Sequence, residues 1–158
     1  MQKFKSITLR NGSLEFSALE MGSGPLVLCL HGFPDCARSY RHQLPALAEA
    51  GYRAVSVTLR GYEPSSQSAQ SSYNMAELAG DVVAFLDQLG VEKAHLVGHD
   101  WGAAISYVAG ALAPDRFKSL TVMAVPHSGR FLGEITKHPR QLRLSWYMAF
   151  FQLRGFSD

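Results

Sequence analysis

A five-residue turn, Gly98-His99-Asp100-Trp101-Gly102, joins the apolar run Lys93-Ala94-His95-Leu96-Val97 to an alanine-rich run from Ala103 to Ala113. The first run reads as a strand and the second as a helix, so the chain must pass from one to the other within a few residues. Glycines at 98 and 102 leave room where side chains would collide with the neighbouring strand and helix. A turn of this kind carries its central side chain, here the carboxylate of Asp100, at the carboxyl edge of a sheet. A chain built on it needs strands alternating with helices.

The rest of the sequence supplies them. Phe4 to Arg10 and Leu14 to Met21 read as strands joined at Asn11-Gly12-Ser13, and Asn-Gly is a strong hairpin signal. After Gly22-Ser23-Gly24-Pro25, the run Leu26 to Leu30 is apolar without alternation, as in a strand buried on both faces. A helix is expected from Arg38 to Ala50, stopped by Gly51 and kinked or restarted at Pro45. Tyr52 to Thr58 is the next strand, and Leu59 to Tyr73 a loop. Asn74 and Glu77 resemble a capping box, ahead of a helix with Leu78, Val82, Leu86 and Leu89 on one face and Gly90 at its end. Leu120 to Val125 predicts a further strand, closed by Pro126-His127-Ser128-Gly129. Leu142, Trp146, Phe150 and Leu153 then share one helical face. The fold class is α/β, with a mainly parallel sheet and an antiparallel N-terminal hairpin.

Composition narrows the function classes. The chain has 158 residues, 47% hydrophobic and 18% charged, with a formal charge of +2. The basic residues are scattered rather than gathered with aromatics into a patch, which argues against nucleic acid as a partner. Cys29 lies in an apolar run and reads as a small buried hydrophobe. With Cys36 it forms no metal or disulfide pattern, and no metal or cofactor is expected. Met1 to Gly12 lacks the apolar core of a signal peptide, and no run approaches the ~20 residues of a membrane span. The expectation is a cytoplasmic protein with no membrane partner.

The turn has the Gly-x-nucleophile-x-Gly spacing of a nucleophile elbow, with Asp100 where serine usually stands. A short Gly-x-Asp-x-Gly pattern alone often marks no more than a turn; the strand before and helix after give this one its specificity. At a helix N-terminus, backbone N–H groups and the dipole favour an ionised, nucleophilic carboxylate. The Trp101 N–H would supply one oxyanion-hole donor. The second is expected from His31-Gly32-Phe33-Pro34-Asp35, which follows the Leu26 to Leu30 strand, with Phe33 the candidate. Both loops follow strand carboxyl ends, where open α/β sheets bind ligands. His31 and His95 read as structural residues.

Together these residues resemble the α/β-hydrolase superfamily, in particular its epoxide hydrolase and haloalkane dehalogenase branch. The resemblance rests on His31 to Asp35, Tyr40-Arg41-His42-Gln43-Leu44-Pro45, Leu59-Arg60-Gly61-Tyr62 and Gly98 to Gly102. Phe33 favours the epoxide hydrolase side, since the dehalogenases often carry Asn there. The resemblance implies that Asp100 opens an epoxide of a small apolar substrate at carbon, forming an alkyl-enzyme ester. A histidine paired with an acid would then activate water to hydrolyse it. It also implies an α/β-hydrolase core over 1–128, truncated before the last strands, and the start of a helical cap over 129–158, bearing tyrosines that protonate the epoxide oxygen.

In that pattern an acid and a histidine follow the nucleophile. After Asp100 the acids are Asp115, Glu134 and Asp158 and the histidines His127 and His138, of which His127 is the least implausible base. His99 adjoins the nucleophile, but the turn should point the two side chains apart. The expectation is a chain that begins the reaction without completing it. Three readings stay open: an epoxide-hydrolase-like enzyme, a binding or interaction module without turnover, and a dehalogenase or ester hydrolase. For Pro139 to Leu153 the alternatives are a cap with Trp146, Tyr147, Phe150 and Phe151 as pocket walls, an amphipathic helix packed on the domain, or a membrane-surface helix using Lys137, Arg140, Arg143 and Arg154. An unpaired Leu120 to Val125 strand at a sheet edge predicts association.

Overall fold

The computed structural model describes residues 4–127, 129, 130, 133 and 137–150. They fall into two compact units, Met1–Val125 and Pro126–Asp158. In the first, β1 (Lys5–Asn11) and β2 (Leu14–Met21) form an antiparallel hairpin whose register pairs Asn11 with Leu14, leaving Gly12 and Ser13 as the loop. The remaining strands are β3 (Leu26–Leu30), β4 (Arg53–Val57), β5 (Ala94–His99) and β6 (Phe117–Met123). All join one sheet in the order β1-β2-β4-β3-β5-β6. β2 meets β4 antiparallel, and β4, β3, β5 and β6 run parallel.

From β3 the chain crosses to β4 on one side, then returns past β3 to β5 on the other. The direction of winding therefore reverses between β3 and β5, and their carboxyl-terminal loops diverge to leave a crevice. The 31–35 loop follows β3 and the 98–102 turn ends β5, so the topology brings the two predicted site segments together.

Helices α1 (Gln43–Glu49), α2 (Met75–Gln88) and α3 (Trp101–Leu112) cover the sheet. All five residues of β3 are buried, and alternate ones serve opposite faces. Leu26, Leu28 and Leu30 share a core with Val82, Phe85 and Leu86 of α2 and Ile105 and Ala109 of α3. Val27 and Cys29 share another with Tyr40 and with Leu44 of α1. Each such aliphatic side chain contributes roughly 1.5–3 kcal/mol on burial. Burial also pushes the Cys29 thiol up to about 12.

The expected helix from Arg38 to Ala50 is instead a 3₁₀ turn, Ala37–Tyr40, followed by α1. Pro45 explains the break: in one continuous helix its missing N–H would forfeit the bond to the Arg41 carbonyl and its ring would clash there. Restarting at Gln43 puts Pro45 in a first turn, where no such bond is owed. Gly51 and Gly90 follow α1 and α2 in left-handed conformations. The Asn74 side chain caps α2 by accepting the Glu77 N–H at 3.0 Å. The Glu77 carboxylate lies 3.4 Å from Arg60 Nη1.

β6 begins three residues before the predicted Leu120 and ends at Met123, with Ala124 at φ 70. Its polar start, Lys118-Ser119, is exposed, as an edge strand allows. In the second unit the single predicted helix is two short ones, Pro139–Leu144 and Trp146–Phe150. Ser145 separates them at φ −95, ψ 13, its Oγ accepting the Gln141 side-chain amide at 2.9 Å. Trp146 and Phe150 still pair, with ring centroids 6.0 Å apart; Phe151, Leu153 and Arg154 lie outside the described residues. No helix among the described residues is long and apolar enough to cross a membrane.

Candidate active site

Asp100 occupies the turn at φ 52, ψ −117, a backbone conformation that L residues rarely adopt. Backbone hydrogen bonds hold the turn on both sides of it. The Asp100 N–H donates to the Met123 carbonyl at 3.2 Å, and the Gly102 N–H to the His31 carbonyl at 3.0 Å. The Asp100 carbonyl accepts the N–H groups of Ala103 and Ala104, which starts α3. Gly98 and Gly102 are required by space. A Cβ on Gly98 would lie 2.3 Å from the Gly102 carbonyl oxygen, and one on Gly102 would lie 2.1 Å from that of Leu30. Ser106 Oγ donates to the Gly102 carbonyl at 2.7 Å.

The β3 loop meets this turn directly. The Phe33 N–H donates to Asp100 Oδ1 at 2.9 Å. Gly32 lets it approach, since a Cβ there would sit 2.4 Å from Asp100 Cβ. The Phe33–Pro34 peptide is cis. Trp101 is the first residue of α3, so its N–H has no acceptor within the helix. Phe33 and Trp101 are exposed, 56% and 45%, and give the approach to Asp100 an apolar rim.

His31 is 1% exposed. Its Nε2 accepts the Leu59 N–H at 2.9 Å, so its proton resides on Nδ1, which donates to the Gly32 carbonyl at 2.7 Å. Its ring meets that of Tyr62 edge-to-face at 4.7 Å. Burial pulls His31 below the usual histidine range. Burial, aided by the charges of Asp100 and Asp35, pushes the Tyr62 phenol up to about 12. The Asp35 carboxyl is held low chiefly by the Ser39 hydroxyl, with help from the Cys36 N–H. His99 is exposed at the end of β5.

The sequence-predicted residues therefore meet in part: Gly32, Phe33, Asp100, Gly98 and Gly102 form one contact network, with His31 buried behind it. His95 bonds through Nδ1 to Ser119 Oγ at 2.8 Å, away from this network. His127 belongs to the other unit, where its Nδ1 accepts the Gly129 N–H at 3.3 Å. Among the described residues no group of three or more His, Cys, Asp or Glu is placed to hold a metal ion.

Sequence reasoning missed the Arg60–Asp81 clamp that anchors the turn bearing Tyr62. Arg60 Nε and Nη2 donate to Asp81 Oδ2 and Oδ1 at 2.7 and 2.6 Å, both side chains being buried. Arg60 Nη1 also donates to the Ser72 carbonyl, and Asn11 Nδ2 to Asp81 Oδ1 at 2.8 Å. The available signal was an acid within the buried arc of α2, since a buried carboxylate demands a cationic or hydrogen-bonding partner.

With this geometry established, similarity to known proteins adds a second line. A family model described as the alpha/beta hydrolase fold matches residues 25–156. The chain is 51% identical over 108 residues to epoxide hydrolase B of Mycobacterium tuberculosis, a match covering 68% of this chain and 30% of that protein. It is 37% identical over 156 residues to an epoxide hydrolase of Caballeronia sordidicola, covering 98% and 47%. The crystal structure of epoxide hydrolase VrEH1 from Vigna radiata superposes with a TM-score of 0.75 at 40% identity, over 78% of this chain and 41% of that one. The chain thus spans less than half the length of each of these relatives.

Proposed function

This chain belongs to the α/β-hydrolase fold family, and from that premise we propose that it carries the nucleophile and oxyanion hole of an epoxide-hydrolase-like site. The observation that carries the reading is the 2.9 Å bond from the Phe33 N–H to Asp100 Oδ1. It pins one carboxylate oxygen and leaves Oδ2 to attack. Oδ2 attacks a ring carbon of the epoxide, the ring C–O bond breaks, and the departing oxygen takes a proton from an acid or solvent. The product is an alkyl ester of Asp100.

Oδ1 then becomes the ester carbonyl oxygen. When water attacks the carbonyl carbon, negative charge develops on that oxygen, where the N–H groups of Phe33 and Trp101 stabilise it. Breaking the ester bond releases a diol and restores the carboxylate. The oxyanion donor thus meets the same oxygen before, during and after the reaction.

The substrate class in this reading is small apolar epoxides, admitted past Phe33 and Trp101, and the setting is cytoplasmic. Residues 129–158 are the start of a helical cap in this reading. Association through β6 belongs to the same reading, supported by the exposure of Leu120 and Met123 on a strand whose sole charge is Lys118.

Incubation with a reactive aryl epoxide, followed by intact-mass measurement, tests the proposal. A mass gain of one epoxide, caught by acid quench before water releases the diol, is expected in the wild-type chain and not in Asp100→Asn. Equal modification of both would sink it, and halide release from an alkyl halide instead would favour a dehalogenase.

A further inference from the structure

His31 joins two parts of the site's scaffold, yet the proposed reaction gives it no part. Its ring bridges two loops that are far apart in sequence. Nε2 receives the Leu59 N–H, and Nδ1–H reaches the Gly32 carbonyl, whose residue precedes the Phe33 donor. Its own carbonyl receives the Gly102 N–H from the start of α3. The 59–62 turn that it grips is anchored on its far side by the buried Arg60–Asp81 pair.

We infer that His31 is a positioning residue, whose neutral Nδ1–H tautomer locks the Gly32–Phe33 peptide against the 59–62 turn and so aims the Phe33 N–H at Asp100. The inference rests on the proposed role of Asp100, but the mechanical link from His31 to Phe33 stands apart from it. A second proton on the ring would make Nε2 a donor facing the Leu59 N–H, two donors with no acceptor between them. The ring would have to move or the turn to part from it, and the Phe33 N–H would lose its aim. His31 thereby makes the oxyanion donor sensitive to pH.

The surrounding charges do not cancel this effect. From its own loop Asp35 favours the protonated ring, and so does Glu63 from the loop after β4, but burial outweighs both. Tyr62 faces the ring and stays neutral, since burial holds its phenol proton on. From the elbow, the charge of His99 bears on Asp35 and that of Asp100 on Tyr62.

The test combines nuclear magnetic resonance of the wild-type chain with alkylation by an aryl epoxide, using His31→Gln and His31→Phe. Gln keeps an acceptor and a donor but cannot titrate; Phe removes both bonds. Imidazole nitrogen shifts should show the Nδ1–H tautomer at neutral pH, and the Phe33 amide resonance should move with the His31 titration. That movement should vanish in His31→Gln. The alkylation rate should fall about tenfold or more in His31→Phe, the worth of one misaligned charge-assisted hydrogen bond. His31→Gln should recover part of that loss and flatten the wild-type decline, which burial of His31 shifts below the usual histidine range. A Phe33 amide that ignores the His31 titration overturns the inference, as does a folded His31→Phe chain that alkylates at the wild-type rate. A wild-type chain that never alkylates defeats the proposed function instead, and the Phe33 resonance alone then decides the role of His31.

Discussion

A Cβ added to Gly12, in the hairpin turn, would meet nothing within 4 Å, whereas one added to Gly102, in the elbow, would lie 2.1 Å from the Leu30 carbonyl oxygen. The hairpin needs glycine for its dihedral, φ +59, and has space to spare. The elbow glycines lack space, and there the left-handed conformation falls on Asp100 instead, at φ 52. Each turn is also tied down differently. Asn11 holds the hairpin to Asp81 through a side chain, while the elbow is held through the backbone by Met123 and His31. The difference marks the elbow as the candidate site: the hairpin is relaxed, while the elbow holds a non-glycine residue, Asp100, in a strained conformation.

The sharpest way to break this contrast is Gly102→Ala. Its Cβ overlaps backbone that cannot yield, so the destabilisation should be about 3 kcal/mol or more by urea unfolding, at the upper end of overpacking costs. A loss near that of a surface substitution would mean the elbow has slack. Next is a pair of variants at position 100, Asp100→Gly and Asp100→Ala, both lacking the carboxylate. Gly should be more stable than Ala by about 1–2 kcal/mol, because it alone adopts φ 52 without strain. Equal stability would show that the backbone is unstrained there. Gly12→Ala should cost about 1 kcal/mol through its dihedral alone. A cost matching that of Gly102→Ala would erase the distinction between the turns.

The smallest effect is expected with pH. Burial lowers His31 in the folded chain, so the unfolded chain binds its proton first as pH falls. His31 should therefore begin to cost stability below about pH 6.5, with the loss growing until the lowered folded value is reached. Denaturation curves of wild type and His31→Gln should diverge over that window. Parallel curves would remove His31 from the elbow's support.

What the sequence displayed was local. Leu26 to Leu30, Asn11-Gly12 and Gly98 to Gly102 each carry their structure in adjacent residues, and the β3 strand and both turns stand where their patterns placed them. Pro45 could be read as a break in a helix, but not which side of it would restart, because that depends on where the preceding chain packs. Trp146 and Phe150 keep a helical spacing even though Ser145 interrupts the helix before them, so periodicity concealed the turn. The Arg60–Asp81 clamp and the His31–Tyr62 contact join residues that only the winding of the sheet brings together. The part of the candidate site legible in advance was thus the Asp100 turn and the 31–35 loop that meets it. The scaffold that aims them was hidden in long-range pairing.

The most direct measurement is the location of the bond. After reaction with an aryl epoxide, proteolysis and tandem mass spectrometry should find one alkyl ester, on Asp100 within the Gly98 to Gly102 segment. Modification confined to Cys36, to a histidine or to another carboxylate, with Asp100 untouched, would contradict the assignment of Asp100 as the nucleophile.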